Sequence, residues 1–150
     1  MNPAALCLST FMGCFVGALV PLVNTELLVL AMSAAAPPSL ALPLVLLAAG
    51  GQMLGKAMLY GAARGALYLP VGRISAQVAT VAGKLEGRRN LSGGLLFISA
   101  ASGLPPFYFT TIAAGLVRIS FARFLLFGMG GRTLRFAAVI AFPQLIKSLL

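Results

Sequence analysis

The chain has 150 residues, of which 60% are hydrophobic and 9% are charged, with 11 Lys or Arg against 2 Asp or Glu. Soluble domains carry about 25% charged residues, so this composition excludes an ordinary soluble domain and predicts an integral membrane protein. The basic residues mostly flank apolar segments, where they would contact lipid headgroups, and they form no cluster of base-reading side chains, which argues against nucleic-acid binding.

Residues 4–36 form an apolar segment that is interrupted near its middle. Pro21 breaks the backbone hydrogen bonding of a continuous helix, and the polar side chains of Asn24 and Glu26 follow it. Each piece is shorter than the ~20 apolar residues needed to cross a bilayer. We therefore predict a re-entrant helical hairpin, whose broken backbone faces protein or a polar cavity because lipid cannot hydrogen-bond to it.

Residues 39–66 are apolar enough for a transmembrane helix, and a different kind of segment follows them. Within residues 71–88, apolar side chains recur at the spacing of one face of an amphipathic helix: Val71, Ile74, Val78, Val81 and Leu85. Such a helix lies in the membrane interface rather than across the bilayer. Because positive charge concentrates here, we predict that the loop of residues 67–90 is cytoplasmic.

The second half of the chain repeats this order of elements. Residues 91–117 are apolar but broken at Pro105 and Pro106, which predicts a second re-entrant hairpin, and residues 120–142 are predicted to form a second transmembrane helix. The two helices carry glycine pairs in 50-GGQMLGK-56 and 130-GGRTLR-135. With one crossing per half, the hairpins enter from opposite sides of the membrane. The predicted fold is therefore an all-α integral membrane protein built as an inverted repeat, with one interfacial amphipathic helix.

Four ionisable side chains lie within the predicted membrane segments: Glu26, Lys56, Arg132 and Arg135. Such residues are unfavourable in a bilayer, so they usually face the protein interior, form pairs and mark a transport path. Arg132 and Arg135 share one helical face. Three basic residues against one acid leave net positive charge, which suits a phosphate headgroup. The alternative is that Glu26 is only a structural partner for an arginine.

Catalytic chemistry lacks its usual residues in this sequence. There is no His, and the two acids, Glu26 and Glu86, belong to different predicted environments, the membrane interior and the cytoplasmic surface. Paired-carboxylate catalysis, a His-assisted nucleophile and a carboxylate-bound metal are therefore not predicted. Cys7 and Cys14 are best explained as small packing residues, since two cysteines without His do not form a zinc site. We predict no enzyme activity, no catalytic residue, no metal and no cofactor.

The sequence resembles a known family in four stretches, which are 15-FVGALVPLVNTELLVLAMSA-34, 54-LGKAMLYGAARG-65, 104-LPPFYFTTIAAGLVRISFARF-124 and 128-GMGGRTLRFAAV-139. They are similar to the DedA/VTT membrane proteins (the SNARE-associated Golgi protein-like family), particularly the short YqaA-like branch. In the second stretch, the family's pattern is matched at Gly55, Tyr60, Arg64 and Gly65.

The resemblance implies a membrane transporter that flips or scrambles a phosphate-headed lipid, either undecaprenyl phosphate or a phospholipid. It also implies a multi-pass protein of the bacterial inner (plasma) membrane. The partners that it implies are membrane lipids with anionic phosphate headgroups.

The sequence departs from the family's pattern at charged positions. Lys56 stands where the family has an acid, and Ser102 and Tyr108 stand where it has fixed arginines. In better-known members those acids and arginines are tied to proton-coupled transport. Two alternative functions are a proton-coupled exporter of small solutes or cations that uses Glu26, and a non-transporting membrane-organising protein that binds partners through residues 71–88. The oligomeric state stays open, a homo-oligomer included.

The residues predicted to bind or guide the substrate are one acid, one amide, one tyrosine and four basic residues: Glu26, Asn24, Tyr60, Lys56, Arg64, Arg132 and Arg135. Two of them have another interpretation. Arg64 would extend its long side chain to the cytoplasmic interface. Tyr60 would serve packing or the interface as readily as ligand contact.

Overall fold

The structure is a computed structural model that describes residues 2–20, 23–65, 76–86 and 92–149, with residues 144–149 as backbone only. All regular structure in these ranges is helical. The helices are α1 (Pro3–Leu19), α2 (Thr25–Ala34), α3 (Ala41–Gly65), α4 (Ala76–Glu86), α5 (Ser92–Ser102), α6 (Phe107–Leu116) and α7 (Phe121–Leu149), and a 3-10 turn at Pro38–Leu40 precedes α3. The predicted all-α class is confirmed for this described part of the chain.

Within the described residues, two helical segments are long and apolar enough to cross a membrane. They are Pro38–Gly65, which joins the 3-10 turn to α3, and Phe121–Pro143, which is most of α7. The other apolar helices, α1, α2, α5 and α6, have 10–17 residues. The two segments correspond to the predicted helices at 39–66 and 120–142, but α7 continues through Pro143. A helix in apolar surroundings tolerates the single hydrogen bond lost at a proline when neighbouring groups satisfy the freed carbonyl.

The chain packs as two units. Unit 1 is Met1–Gly55 together with Arg132–Leu150, and unit 2 is Lys56–Gly131. Each unit contains one pair of short helices, α1 and α2 in unit 1 and α5 and α6 in unit 2, and each includes part of α3 and part of α7. The amphipathic α4 belongs to unit 2.

In unit 1, α1 and α2 fold back on each other with glycines at their contact. A Cβ on Gly13 would meet Leu28 and one on Gly17 would meet Thr25, so the two helices run antiparallel. Helix α3 approaches α1 just as closely, because a Cβ on Gly51 would collide with the carbonyl oxygen of Phe11. Small residues at such contacts let helix backbones approach closely, as is common in membrane proteins.

In unit 2, α5 and α6 fold back on each other in the same way. The Ser99 hydroxyl donates a hydrogen bond of 2.6 Å to the carbonyl oxygen of Pro105 and lies 2.8 Å from the hydroxyl of Thr110. Pro105 and Pro106 lie between the two helices, whereas Pro21, the other predicted break, lies outside the described residues. Both predicted hairpin segments, 4–36 and 91–117, therefore contain a pair of contacting helices.

The apolar face of α4 contacts another helix, and its predicted position in the membrane interface stays a prediction. Its apolar face, formed in the described range by Val78, Val81 and Leu85, is at most 4% exposed, and α4 packs against α6. The face assigned to the membrane interface is thus covered by protein at these positions, because α6 is apolar on most sides and offers a surface to more than one neighbour. Of the predicted segment 71–88, only Ala76–Glu86 falls within the described helix.

Candidate functional site

Glu26 lies in the first turn of α2, where Asn24 holds the helix end. The side-chain oxygen of Asn24 accepts hydrogen bonds from the backbone N–H of Glu26 at 3.1 Å and of Leu27 at 3.2 Å. An amide in this position satisfies N–H groups that have no partner within the helix. Asn24, predicted to be a substrate-binding residue, therefore has its side-chain oxygen engaged as a helix cap. The N-terminal end of α2 also favours the negative charge of Glu26.

Arg135 of α7 binds the Glu26 carboxylate directly. Its Nε donates a hydrogen bond of 2.7 Å to Oε1 of Glu26, and its Nη2 contacts the same oxygen. The ion pair joins α2 to α7 across 109 positions of sequence. Both side chains are only partly covered, at 39% exposed for Glu26 and 22% for Arg135, so each retains room for another partner.

Arg132 lies one helical turn before Arg135 and is 8% exposed. It is close enough to interact electrostatically with Arg135, Glu26 and the thiol of Cys14. We call Glu26, Arg132 and Arg135 the unit 1 charge cluster. The cluster has two guanidinium groups and one carboxylate, so its net charge is positive. The sequence analysis predicted a net positive group of the same three residues together with Lys56.

A buried amide that the sequence analysis did not select lies on α3 in the same unit. Gln52 is 4% exposed and its Nε2 donates a hydrogen bond of 2.7 Å to the hydroxyl of Thr25, the neighbour of Glu26. The Oε1 atom of Gln52 has no hydrogen-bond partner among the described residues. A buried polar atom in this state is unfavourable and rare, and such atoms often mark functional sites. The signal in the sequence was an amide between glycines in an apolar helix, 50-GGQMLGK-56.

Lys56 belongs to unit 2, whereas the unit 1 charge cluster belongs to unit 1. Its side chain is 4% exposed, and its ammonium lies 4.7 Å from the centroid of the Tyr108 ring. A cation over an aromatic face gains electrostatic stabilisation from the ring quadrupole. In the family that the sequence resembles, an arginine stands at the position of Tyr108. In this protein the ammonium of Lys56 therefore faces an aromatic ring at that position.

Tyr60 and Arg64 fasten the end of α3 to the connection between α6 and α7. The Tyr60 ring is 2% exposed and stacks on Phe124 at 4.7 Å between centroids. Its hydroxyl donates to the carbonyl oxygen of Ile119 and accepts from Nη1 of Arg64, and Arg64 Nη1 also donates to Ile119 at 3.2 Å. These contacts favour the packing interpretation of Tyr60 over ligand contact.

A cavity of about 630 Å³ opens beside this anchor within unit 2. Its polar lining consists of Arg64, Glu86, Ser92, Arg118, Ser120 and Arg123. Of these residues the sequence predicted only Arg64. The signal for the other two arginines was 117-VRISFARF-124, a short basic stretch that interrupts apolar sequence, but nothing in it indicated that Arg64 lies nearby.

Comparisons with protein-family models, with curated proteins and with solved structures found no match to this chain. The described residues include no group of three or more His, Cys, Asp or Glu that could hold a metal ion. The two charged sites of units 1 and 2 are therefore the features on which a function can be argued.

Proposed function

We propose that this protein is an integral membrane transporter that moves a phosphate-headed lipid between the leaflets of a bilayer. The single observation that carries the proposal is the Glu26–Arg135 ion pair with Arg132 one turn away, on α2 and α7. Helix α7 is one of the two helices in the described part of the chain that are long and apolar enough to cross a membrane. Ionisable residues at such depth usually mark a transport path.

The charge balance of the cluster favours an anion over a cation as the substrate. The carboxylate of Glu26 neutralises one guanidinium, and the second leaves positive charge that a phosphate would compensate. Arginine presents planar pairs of N–H donors, which match a phosphate in the same way as a carboxylate. In our proposal, the phosphate replaces Glu26 as the partner of Arg135 and Glu26 returns when the headgroup leaves. The carboxylate would thus hold Arg135 in position between substrates.

The pairs of short helices support the proposed membrane arrangement. We propose that α1–α2 and α5–α6 are re-entrant hairpins and that the two halves form an inverted repeat. In unit 1, Gly51 of the long helix α3 packs on the carbonyl of Phe11 in α1, and in unit 2, Gly131 of the long helix α7 packs on the carbonyl of Phe97 in α5. A glycine therefore occupies an equivalent contact in each half. Transporters with such repeats bind substrate near the membrane midplane.

The resemblance of four sequence stretches to the DedA/VTT family points to the same function. It adds undecaprenyl phosphate or a phospholipid as substrates and the bacterial inner membrane as the location, with residues 67–90 on the cytoplasmic side. Because Lys56 replaces the family's acid, the proposal does not include coupling to protons.

The test uses purified protein in liposomes that carry a fluorescent phospholipid or polyprenyl phosphate. An impermeant quencher reaches roughly half of the label when lipids stay in their leaflets, and all of it when they are translocated. We expect the wild type and Lys84→Gln, which removes an exposed cation of α4, to expose the inner leaflet. Glu26→Gln and Arg132→Gln should leave about half of the label protected. Equal quenching with all four proteins, or quenching of only about half of the label with the wild type, would refute the proposal.

A further inference from the structure

We propose that the unit 2 cavity is a binding site for a phosphate monoester group, separate from the unit 1 charge cluster. Three guanidinium groups from three elements line it, with Arg64 at the end of α3, Arg118 between α6 and α7, and Arg123 in the first turn of α7. Arg118 and Arg123 are five residues apart, and only folding brings the distant Arg64 to the same cavity. The chemical class of ligand follows from their charge and donors.

The electrostatics of the cavity suit a dianion. Among the described lining residues, three arginines face a single carboxylate, that of Glu86, which leaves two positive charges. Helices α5 and α7 begin at or beside the cavity, at Ser92 and Phe121, and helix N-termini carry partial positive charge and N–H groups without partners in the helix. A phosphate monoester carries about −1.5 to −2 charges at pH 7 and three acceptor oxygens. Charge and donors therefore match this group.

Two of the three arginines, Arg64 and Arg123, are held in place before any ligand arrives. Nη1 of Arg64 is fixed by the Tyr60 hydroxyl and the Ile119 carbonyl, which leaves the position of its guanidinium defined at the cavity wall. Nη1 of Arg123 donates to the hydroxyl of Ser92 at 3.5 Å. Side chains that are ordered in advance lose less conformational freedom on binding, so they bind an anion more tightly.

The backbone of Arg118 provides an independent reason to assign it a ligand. Arg118 has a φ of 55°, and it follows the C-cap of α6, Val117. The backbone N–H of Ile119 donates to the carbonyl oxygen of Ala114, and the backbone N–H of Arg118 donates to the carbonyl oxygen of Gly115. In helix ends of this kind, glycine usually occupies the position with the left-handed conformation. An arginine is unfavourable in this conformation. Its presence at the cavity indicates that the guanidinium is needed there.

The volume sets a lower limit on the size of the ligand. About 630 Å³ falls within the roughly 300–1,000 Å³ typical of small-molecule sites. Inorganic phosphate alone would leave most of it empty, so we infer a phosphate ester. The ester is either the headgroup of a lipid such as phosphatidic acid or a soluble compound such as glycerol 3-phosphate, and the two share the same recognised group.

The experiment measures binding to the purified full chain in detergent, with short-chain phosphatidic acid and glycerol 3-phosphate as probes. Phosphatidylcholine of the same chain length is the control for the monoester. The central variant is Arg118→Asn, because asparagine tolerates the left-handed backbone while it removes the charge. Lys84→Asn removes an exposed cation outside the cavity lining.

We expect Arg118→Asn and Arg123→Gln each to weaken binding by about tenfold, with Lys84→Asn close to wild type. Binding of phosphatidic acid alone assigns the site to a lipid headgroup, and binding of both probes assigns it to the phosphate ester itself. Equal affinity for phosphatidylcholine, unchanged affinity in Arg118→Asn, or no binding of either probe would overturn the inference. Arg118 and Arg123 are not part of the unit 1 charge cluster, so lost binding in these two variants is separate from the result of the translocation assay, which tests Glu26 and Arg132.

Discussion

Nε of Arg135 donates a 2.7 Å hydrogen bond to Oε1 of Glu26, 109 residues away in sequence, and so joins helices α2 and α7. Glu26 is one of only two acids in the chain. It neutralises the charge of Arg135. The second arginine, Arg132, lies one turn away and leaves the unit 1 charge cluster with a net positive charge. The contact serves both candidate roles of Glu26, a structural link and a gate, and the two roles can be separated.

Removing one partner of this pair should destabilise the protein more than removing both. Glu26→Gln leaves Arg135 without its carboxylate, which should lower the free energy of unfolding by about 1–3 kcal/mol. In the double variant Glu26→Gln with Arg135→Gln, two amides can bond each other and the cluster keeps the single net positive charge of the wild type, so most of that stability should return. Unfolding by SDS in mixed micelles measures both. If the pair is only structural, lipid translocation should recover with stability in the double variant, whereas a gate predicts that it stays lost.

The glycine contacts predict opposite effects of alanine at two positions of α3. Gly51→Ala should destabilise by about 1–3 kcal/mol, because its Cβ would collide with the backbone carbonyl of Phe11, which has little room to move. Gly61→Ala in the same helix meets nothing within 4 Å and should stabilise by up to about 1 kcal/mol. Gly131→Ala should resemble Gly51→Ala, since its Cβ would lie 2.7 Å from the carbonyl oxygen of Phe97. SDS titration of the three variants is the measurement, and equal stabilities for Gly51→Ala and Gly61→Ala would contradict it.

The Tyr60 hydroxyl should contribute to stability rather than to substrate contact. Tyr60→Phe keeps the ring that stacks on Phe124 but removes the group that links the Ile119 carbonyl and Arg64. We expect a loss of about 1–3 kcal/mol, the usual cost of leaving such groups unsatisfied, with lipid translocation per folded protein unchanged. Tyr108→Phe, which retains the ring beside Lys56, is the matched control and should change stability little. A selective loss of translocation in Tyr60→Phe would instead assign the hydroxyl to the substrate path.

Backbone conformation predicts that a charge-removing change at Arg118 raises stability. Asparagine is several-fold enriched over most residues at positive φ, which corresponds to about 0.5–1 kcal/mol, so Arg118→Asn should unfold at a higher temperature than the wild type. Arg118→Ala removes the same charge, but alanine has no preference for positive φ, so this variant should not unfold at a higher temperature than the wild type. Thermal unfolding in detergent compares the two. A lower unfolding temperature for Arg118→Asn would mean that the guanidinium itself holds unit 2 together.

Much of the architecture could be predicted from the sequence, because it depends on local properties. Apolar length located the two helices able to cross a membrane, and proline positions located the interval between α5 and α6. Hydrophobic periodicity likewise found the apolar face of α4. What it could not find was the partner of that face, since the same stripe of Val78, Val81 and Leu85 suits a membrane interface or another helix. The tertiary structure shows that α6 covers this face in the described residues.

For the charged residues, too, some features follow from the sequence and others only from the tertiary structure. Composition and helical spacing alone determined that the chain carries few acids, that Glu26 lies in an apolar segment and that Arg132 and Arg135 share a face. Tertiary structure decided that Glu26 pairs with Arg135 and that Lys56 faces Tyr108. It also brought Arg64, Arg118 and Arg123 to one cavity. Periodicity describes neighbours within one helix, whereas charge pairing and cavities depend on which helices meet, and that is set by the whole packing of the chain.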